Sequence, residues 1–215
     1  MVRLLITALT AVLILATPLQ AFNWSGVFTQ IQKSVVQVFS EQGSCTAFSI
    51  DQERKYYLTA AHCLGGDLTM WKETTTATGP QHAFAVVGVL AVSKELDLAV
   101  LEASEGLQVV PRGKLPRRGE EVASIGYAFG EPEPFIIGSL IAQVKDARSY
   151  ARTRVIIFKD NQDVGGMSGG PVVDTKGRLV GMVQQGVTLG DQISNIAYGT
   201  AITDIYAFAK AYWGR

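Results

Sequence analysis

Histidine and cysteine are scarce in this chain, with two of each in 215 residues, and the scarcity limits where acid–base, thiol or metal chemistry can sit. His82 follows Gly79-Pro80-Gln81 and has no Cys, His or carboxylate arranged around it as a ligand set, so it reads as a solvent-facing loop residue and no metal site is expected. An excess of charge is also missing. Lys and Arg number 19 and so do Asp and Glu, which removes the electrostatic footprint of a nucleic-acid binder. The one basic cluster, Arg112, Lys114, Arg117 and Arg118, reads as a solvated connector. No long polar tract breaks a composition that is 47% hydrophobic, so the chain is large enough for one well-buried unit and small for two. Nor does any apolar run reach the roughly 18 to 20 residues of a membrane span.

The longest such run, Leu4 to Ala16, follows Arg3 and precedes Pro18 and Leu19-Gln20-Ala21. A basic start, a short apolar run and a small residue at its end predict a secretory signal peptide over residues 1–21, with the mature chain beginning near Phe22. Leu19 is larger than the residue usually found there. The expected location is secreted or periplasmic, with no membrane attachment once the signal is removed; an uncleaved anchor is the alternative. Cys45 and Cys63 can then be a bridge or two free buried thiols, and an oxidising compartment favours the bridge.

Beyond the signal, Asn23 to Lys33 predicts a short helix with Ser25 as its N-cap. Strand-like segments rich in Val, Ile, Phe and Tyr follow at 34–39, 45–50, 55–59, 83–92 and 98–102. A second set occupies 121–127, 135–144, 154–158, 170–173, 179–184 and 196–202, after a connector at 105–119 that carries Pro111 and Pro116. Residues 203–213 predict a closing helix with Ile205, Phe208, Ala209 and Tyr212 on one face.

The stretch Gly165-Gly166-Met167-Ser168-Gly169-Gly170-Pro171 places one serine in a glycine-rich turn whose backbone N–H groups can converge on an oxyanion. Upstream lie Leu58-Thr59-Ala60-Ala61-His62-Cys63 and Glu95-Leu96-Asp97-Leu98-Ala99-Val100-Leu101, giving the order His, Asp, Ser. A serine hydroxyl is a weak nucleophile at neutral pH, so a histidine must take its proton and a carboxylate must hold that histidine. The three contexts and their order resemble the trypsin-like (chymotrypsin-fold) serine peptidases, and the resemblance covers essentially Val27 to Trp213. Ser34-Val35-Val36-Gln37-Val38, Arg118 to Tyr127 and Asp174 to Gly181 look most like the bacterial HtrA (Deg) branch. The PDZ domain typical of that branch is not expected, because the chain stops after its terminal helix.

The resemblance implies an all-β fold of two six-stranded antiparallel barrels with a C-terminal helix: barrel one at about 33–104, barrel two at about 119–202 and the helix at about 203–213. It assigns His62 as base, Asp97 as its orienting carboxylate and Ser168 as nucleophile, with the N–H groups of Gly166 and Ser168 as the oxyanion hole. It implies a Cys45–Cys63 bridge beside the histidine. It puts Gln162, Asp163, Gln184 and Gly186 around the side chain that precedes the scissile bond. Asp163 turned inward would favour Arg or Lys; turned outward, it leaves a pocket for small aliphatic or polar residues. Val183 stands where glutamate-specific relatives carry a histidine, so acidic preference is disfavoured.

Two departures from the pancreatic pattern matter. Met167 occupies the place of the aspartate that binds a new N-terminus after zymogen cleavage, and the mature chain lacks an Ile-Val-Gly-Gly start. Activation by N-terminal insertion is therefore not expected, and packing must hold the oxyanion turn. The expectation is an exported serine endopeptidase acting on proteins or peptides without cofactor or metal. A catalytically inactive trypsin-fold binding module is the alternative. An esterase fits less well, because the serine is in G-x-S-G-G-P and not in the G-x-S-x-G elbow.

Overall fold

The run Val35-Val36-Gln37-Val38 is buried at every position, so the strand it forms must be covered on both faces, since successive side chains point to opposite sides. In the computed structural model, which describes residues 22–72, 82–131, 133–147, 153–159, 165–189 and 192–214, a barrel interior covers one face and a second barrel the other. The expected signal segment and the pocket residues Gln162 and Asp163 lie outside the described residues. Barrel one is built from β1 (Val35–Ser40), β2 (Gly43–Asp51), β3 (Tyr56–Thr59), β4 (Thr69–Lys72), β5 (His82–Ser93) and β6 (Leu98–Ala103). Barrel two follows with β7 (Glu121–Gly126), β8 (Phe135–Ala147), β9 (Thr153–Lys159), β10 (Pro171–Asp174), β11 (Leu179–Leu189) and β12 (Gln192–Ala201). Both sheets close on themselves, in the orders β1-β2-β3-β6-β5-β4 and β10-β11-β12-β9-β8-β7, and every pairing within them is antiparallel. The all-β double barrel expected from the sequence is the fold observed.

Three apolar clusters follow from this arrangement. Val36, Val38, Tyr57, Met70 and Leu101 fill barrel one, and Val122, Ile141, Ile156, Val172 and Val180 fill barrel two. The third lies in the seam, where Val35, Phe48, Leu58, Leu98 and Val100 of the first barrel meet Ile125, Val173, Leu179 and Met182 of the second. Alternation therefore sends Tyr57 into barrel one and Leu58 into the seam, and does the same for Leu101 and Val100. The connector is tied to both barrels: Val110 donates its N–H to Ser49 O at 3.2 Å, and Leu179 donates to Pro111 O at 2.7 Å.

Four details differ from the sequence expectation. β4 was not anticipated, because Thr-Met-Trp-Lys is too short to show a period, although Met70 is fully buried. His82 opens β5, paired with Lys72, and is not in a loop. The helix Ser25–Ile31 begins after Trp24 with no side-chain cap at that position. Asn23 Oδ1 accepts the Ser25 N–H at 3.0 Å instead, because its carboxamide reaches a free donor two residues on. The C-terminal helix spans Ile202–Ala209. Tyr212 and Trp213 both turn their N–H groups onto Ala209 O, and Gly214 donates to Ile50 O at 2.8 Å, so barrel one captures the end of the chain.

Ile125 is fully buried in the seam, and Ile125→Ala is expected to cost about 2–5 kcal/mol of unfolding free energy. Val87, 64% exposed on β5, should lose less than about 0.5 kcal/mol on the same change. Urea unfolding of the two variants checks the contrast.

Candidate active site

β3 ends at Thr59 and leads into a single 3₁₀ turn, Ala61–Cys63, that lifts His62 to the rim of barrel one. A disulfide joins Cys63 to Cys45 on β2, with the Cα atoms 6.1 Å apart, so the histidine turn is stapled to the strand beside it. Cys45, His62 and Cys63 bring their ligand atoms within 4.8 Å of one another, but the two sulfurs are bonded to each other and offer no thiolate.

Asp97 comes to this turn from the start of β6. Its carboxylate grips His62 twice: Oδ1 accepts the backbone N–H at 2.9 Å, and Oδ2 lies 2.8 Å from Nδ1. This contact fixes the imidazole orientation and leaves Nε2 as the nitrogen facing away from the carboxylate. The Asp97 carboxylate beside the ring raises the His62 pKa above its ordinary value, against the opposing effect of partial burial.

The grip depends on an uncommon backbone conformation, because Asp97 has φ +53°, in the left-handed region. The preceding carbonyl, Leu96 O, is held from barrel two by Gln184 Nε2 at 3.2 Å and by Thr200 Oγ1 at 3.0 Å. Thr200 is 2% exposed. Two donors from the opposite barrel therefore fix the peptide that carries Asp97. Sequence reading missed Thr200, and no signal in the chain links it to a position 104 residues earlier.

Ser168 lies across the seam in the turn before β10. Gly169 donates to Val183 O, and Gly170 to Met167 O, each at 2.9 Å. The Ser168 carbonyl accepts the Thr46 N–H at 2.8 Å, and Cys63 Sγ is 3.9 Å from the same oxygen, so the serine turn and the histidine turn meet at the disulfide. The Ser168 hydroxyl donates to Gln184 O at 2.9 Å. Its side-chain oxygen is thus hydrogen-bonded to the barrel-two strand, and the hydroxyl hydrogen must leave Gln184 O before it can be passed to His62.

The turn admits only glycine at three positions. Gly166 has φ +96°, and a Cβ there would stand 2.1 Å from Tyr127 O; at Gly169 and Gly170 it would meet Thr46 O at 2.2 Å and Ile125 O at 2.4 Å. Met167 is 4% exposed and packs among Val122, Ala128, Ile141 and Val172, filling apolar space where a carboxylate would have needed a cation. Gln184, expected beside the pocket, turns its side chain to Leu96 O and presents its main-chain carbonyl to Ser168. Gly186 lies on β11, paired with Ala197.

No curated protein matches the chain in sequence. Among solved structures, the Rv3671c protease in its inactive form aligns with a TM-score of 0.68 at 18% identity, covering 90% of this chain and 98% of that one. The active form of the same protease, from M. tuberculosis, gives 0.70 at 18%, covering 88% and 85%. Deg5 gives 0.68 at 18%, covering 85% and 90%. At such identities these likenesses speak for the fold. The pattern of the trypsin-like peptidase domain matches residues 45–182, a span that holds the histidine turn, the aspartate and the serine turn, and the chain belongs to the trypsin-like peptidase family.

Proposed function

We propose that this chain is an exported serine endopeptidase that cleaves protein or peptide substrates through an acyl-enzyme on Ser168. The observation that carries the reading is the two-point contact of Asp97 with His62, made beside a glycine-bound serine in a chain of this family. Ser168 Oγ leaves Gln184 O, passes its proton to His62 Nε2 and bonds to the substrate carbonyl carbon. The oxyanion takes the N–H groups of Gly166 and Ser168. Collapse breaks the C–N bond as Nε2 returns the proton to the leaving amine. Water then attacks the ester, its proton goes to Nε2, and Ser168 recovers a proton as the acid departs.

Export rests on the signal pattern over 1–21 and agrees with the disulfide. Burial of Met167 supports activity without proteolytic release of a new N-terminus. For the residue before the scissile bond, both settings of Asp163 stand: inward for Arg or Lys, outward for small aliphatic or polar side chains. The resting bond of Ser168 to Gln184 O is the observation that favours the second reading, a binding module. Labelling by a fluorophosphonate separates the two, since a module that never moves its hydroxyl to His62 would not react.

Three outcomes are expected. His62→Ala and Ser168→Ala should each remove most turnover, and the double variant should lose little more, because the groups act as a unit; rate constants on one peptide ester check this, and losses that multiply would contradict it. The base must be neutral to accept a proton, and the Asp97 carboxylate holds the His62 pKa up. The acid limb of the pH–rate profile should therefore lie above the ordinary histidine value near 6.5, and Asp97→Asn should move it lower while reducing the plateau. Gly166→Ala, whose new Cβ would collide with Tyr127 O, should lower the rate by about 100-fold or more, whereas Gly165→Ala, with nothing within 4 Å, should stay close to the parent in the same assay.

A further inference from the structure

The four carbonyls from Gly165 to Ser168 each have a donor. Gly165 O accepts from Phe129 N–H at 2.6 Å, Met167 O from Gly170 N–H at 2.9 Å and Ser168 O from Thr46 N–H at 2.8 Å. Gly166 O accepts from the Thr46 hydroxyl at 2.8 Å. That hydroxyl is used a second time, as acceptor for the Tyr127 N–H at 2.9 Å. Thr46 is fully buried, and its own carbonyl takes the Thr59 hydroxyl at 2.7 Å. One barrel-one residue thus spends its N–H and its hydroxyl on barrel two, on both sides of Met167.

The Tyr127–Gly130 turn is the other party to this arrangement. Phe129 has φ +54° and is 70% exposed, an expensive conformation for an aromatic residue that persists only where its surroundings impose it. What this backbone delivers is the Phe129 N–H on Gly165 O. A trans peptide is planar, with its C=O and N–H pointing opposite ways. Holding Gly165 O against Phe129 therefore turns the Gly166 N–H away from Phe129. The Thr46 hydroxyl then fixes the next peptide by its oxygen, and through Tyr127 it fixes the turn that supplies Phe129.

We propose that Thr46 is a positioning residue for the oxyanion hole: its hydroxyl clamps the Tyr127–Gly130 turn to the glycine turn and thereby sets the direction of the Gly166 N–H. This deepens the peptidase reading and rests on it. In this chain the clamp takes over the task that an aspartate before the nucleophile, paired with a new N-terminus, would perform. Met167 supplies packing there, but a thioether cannot orient a peptide by directed bonds. Replacing the hydroxyl with a methyl group would take from Gly166 C=O and Tyr127 N–H the bond that each makes with Thr46, and a polar group that loses its partner away from water costs more than a mere absence of contact.

The test compares Thr46→Val, which keeps the shape and deletes both bonds, with Thr46→Ser, which keeps the hydroxyl. Rates are taken per site titrated by a fluorophosphonate, so unfolded molecules drop out. Thr46→Val is expected to lower kcat at least about tenfold, toward the roughly 100- to 1000-fold of a lost oxyanion donor, with KM held within about threefold. A peptide aldehyde, whose adduct places an oxygen in the hole, should weaken by the same factor as kcat/KM. The acid limb of the pH profile should not move, because His62 and Asp97 are untouched. Thr46→Ser should restore kcat to within about threefold. Where valine leaves too little folded protein, Thr46→Ala is measured in its place and the same split is expected. A titratable Thr46→Val with the parent kcat would overturn the proposal, as would a loss that serine does not rescue or one carried by KM. Failure of the parent protein itself to label at Ser168 would instead sink the peptidase reading beneath it.

Discussion

Hydrogen bonds cross the seam between the barrels in opposite directions, and the geometry of the candidate site rests on both sets. From barrel one, Thr46 reaches the serine turn through its N–H and its hydroxyl. From barrel two, Gln184 and Thr200 reach Leu96 O, the peptide oxygen that precedes Asp97. Each half of the site is therefore held by the barrel that does not carry it. The seam cluster of Phe48, Leu58, Val100, Ile125 and Met182 supplies most of the adhesion, but apolar contact is non-directional and tolerates sliding. The polar bonds give the register, since a hydrogen bond weakens steeply with misalignment.

The same division explains why so many small or strained residues collect at the seam. Gly169 and Gly170 bring one backbone within van der Waals contact of another, where a single Cβ would meet Thr46 O or Ile125 O. Asp97 and Phe129 hold left-handed conformations, and each delivers a bond that a relaxed backbone would miss: the double grip on His62 and the N–H on Gly165 O. Local strain at both places is offset by the packing and hydrogen bonding around it.

The parts of the fold that show in the sequence are those with a local cause. Leu98-Ala99-Val100-Leu101 reads as a buried strand because both its faces are covered, so its apolar run is continuous. The serine turn shows as a cluster of glycines because only glycine fits the approaches it makes. The two barrels show as two sets of strands separated by a connector with Pro111 and Pro116. What stays hidden has a distant cause. β4 is four residues long and takes its shape from β1 and β5 on either side. Thr46 sits 120 residues from Gly166, and Gln184 sits 88 from Leu96, so neither partnership leaves a spacing to read. The early end of the last helix is likewise set by barrel one, where Ile50 O takes the Gly214 N–H.

The order of the strands along the chain also sets the order in which this architecture can assemble. Barrel one closes from one contiguous stretch, β1 to β6, ending at Ala103, and it contains both His62 and Asp97. The serine turn gets its supports later, because Val183 O and Gln184 O are on β11, and Thr200, which steadies Asp97 from the other side, is on β12. Contacts between segments this far apart carry the larger loop-closure cost and form slowly. In kinetic terms, the His62–Asp97 pair can be assembled while the serine turn still lacks its supports, so the proposed reactivity would be the last property the folding chain acquires.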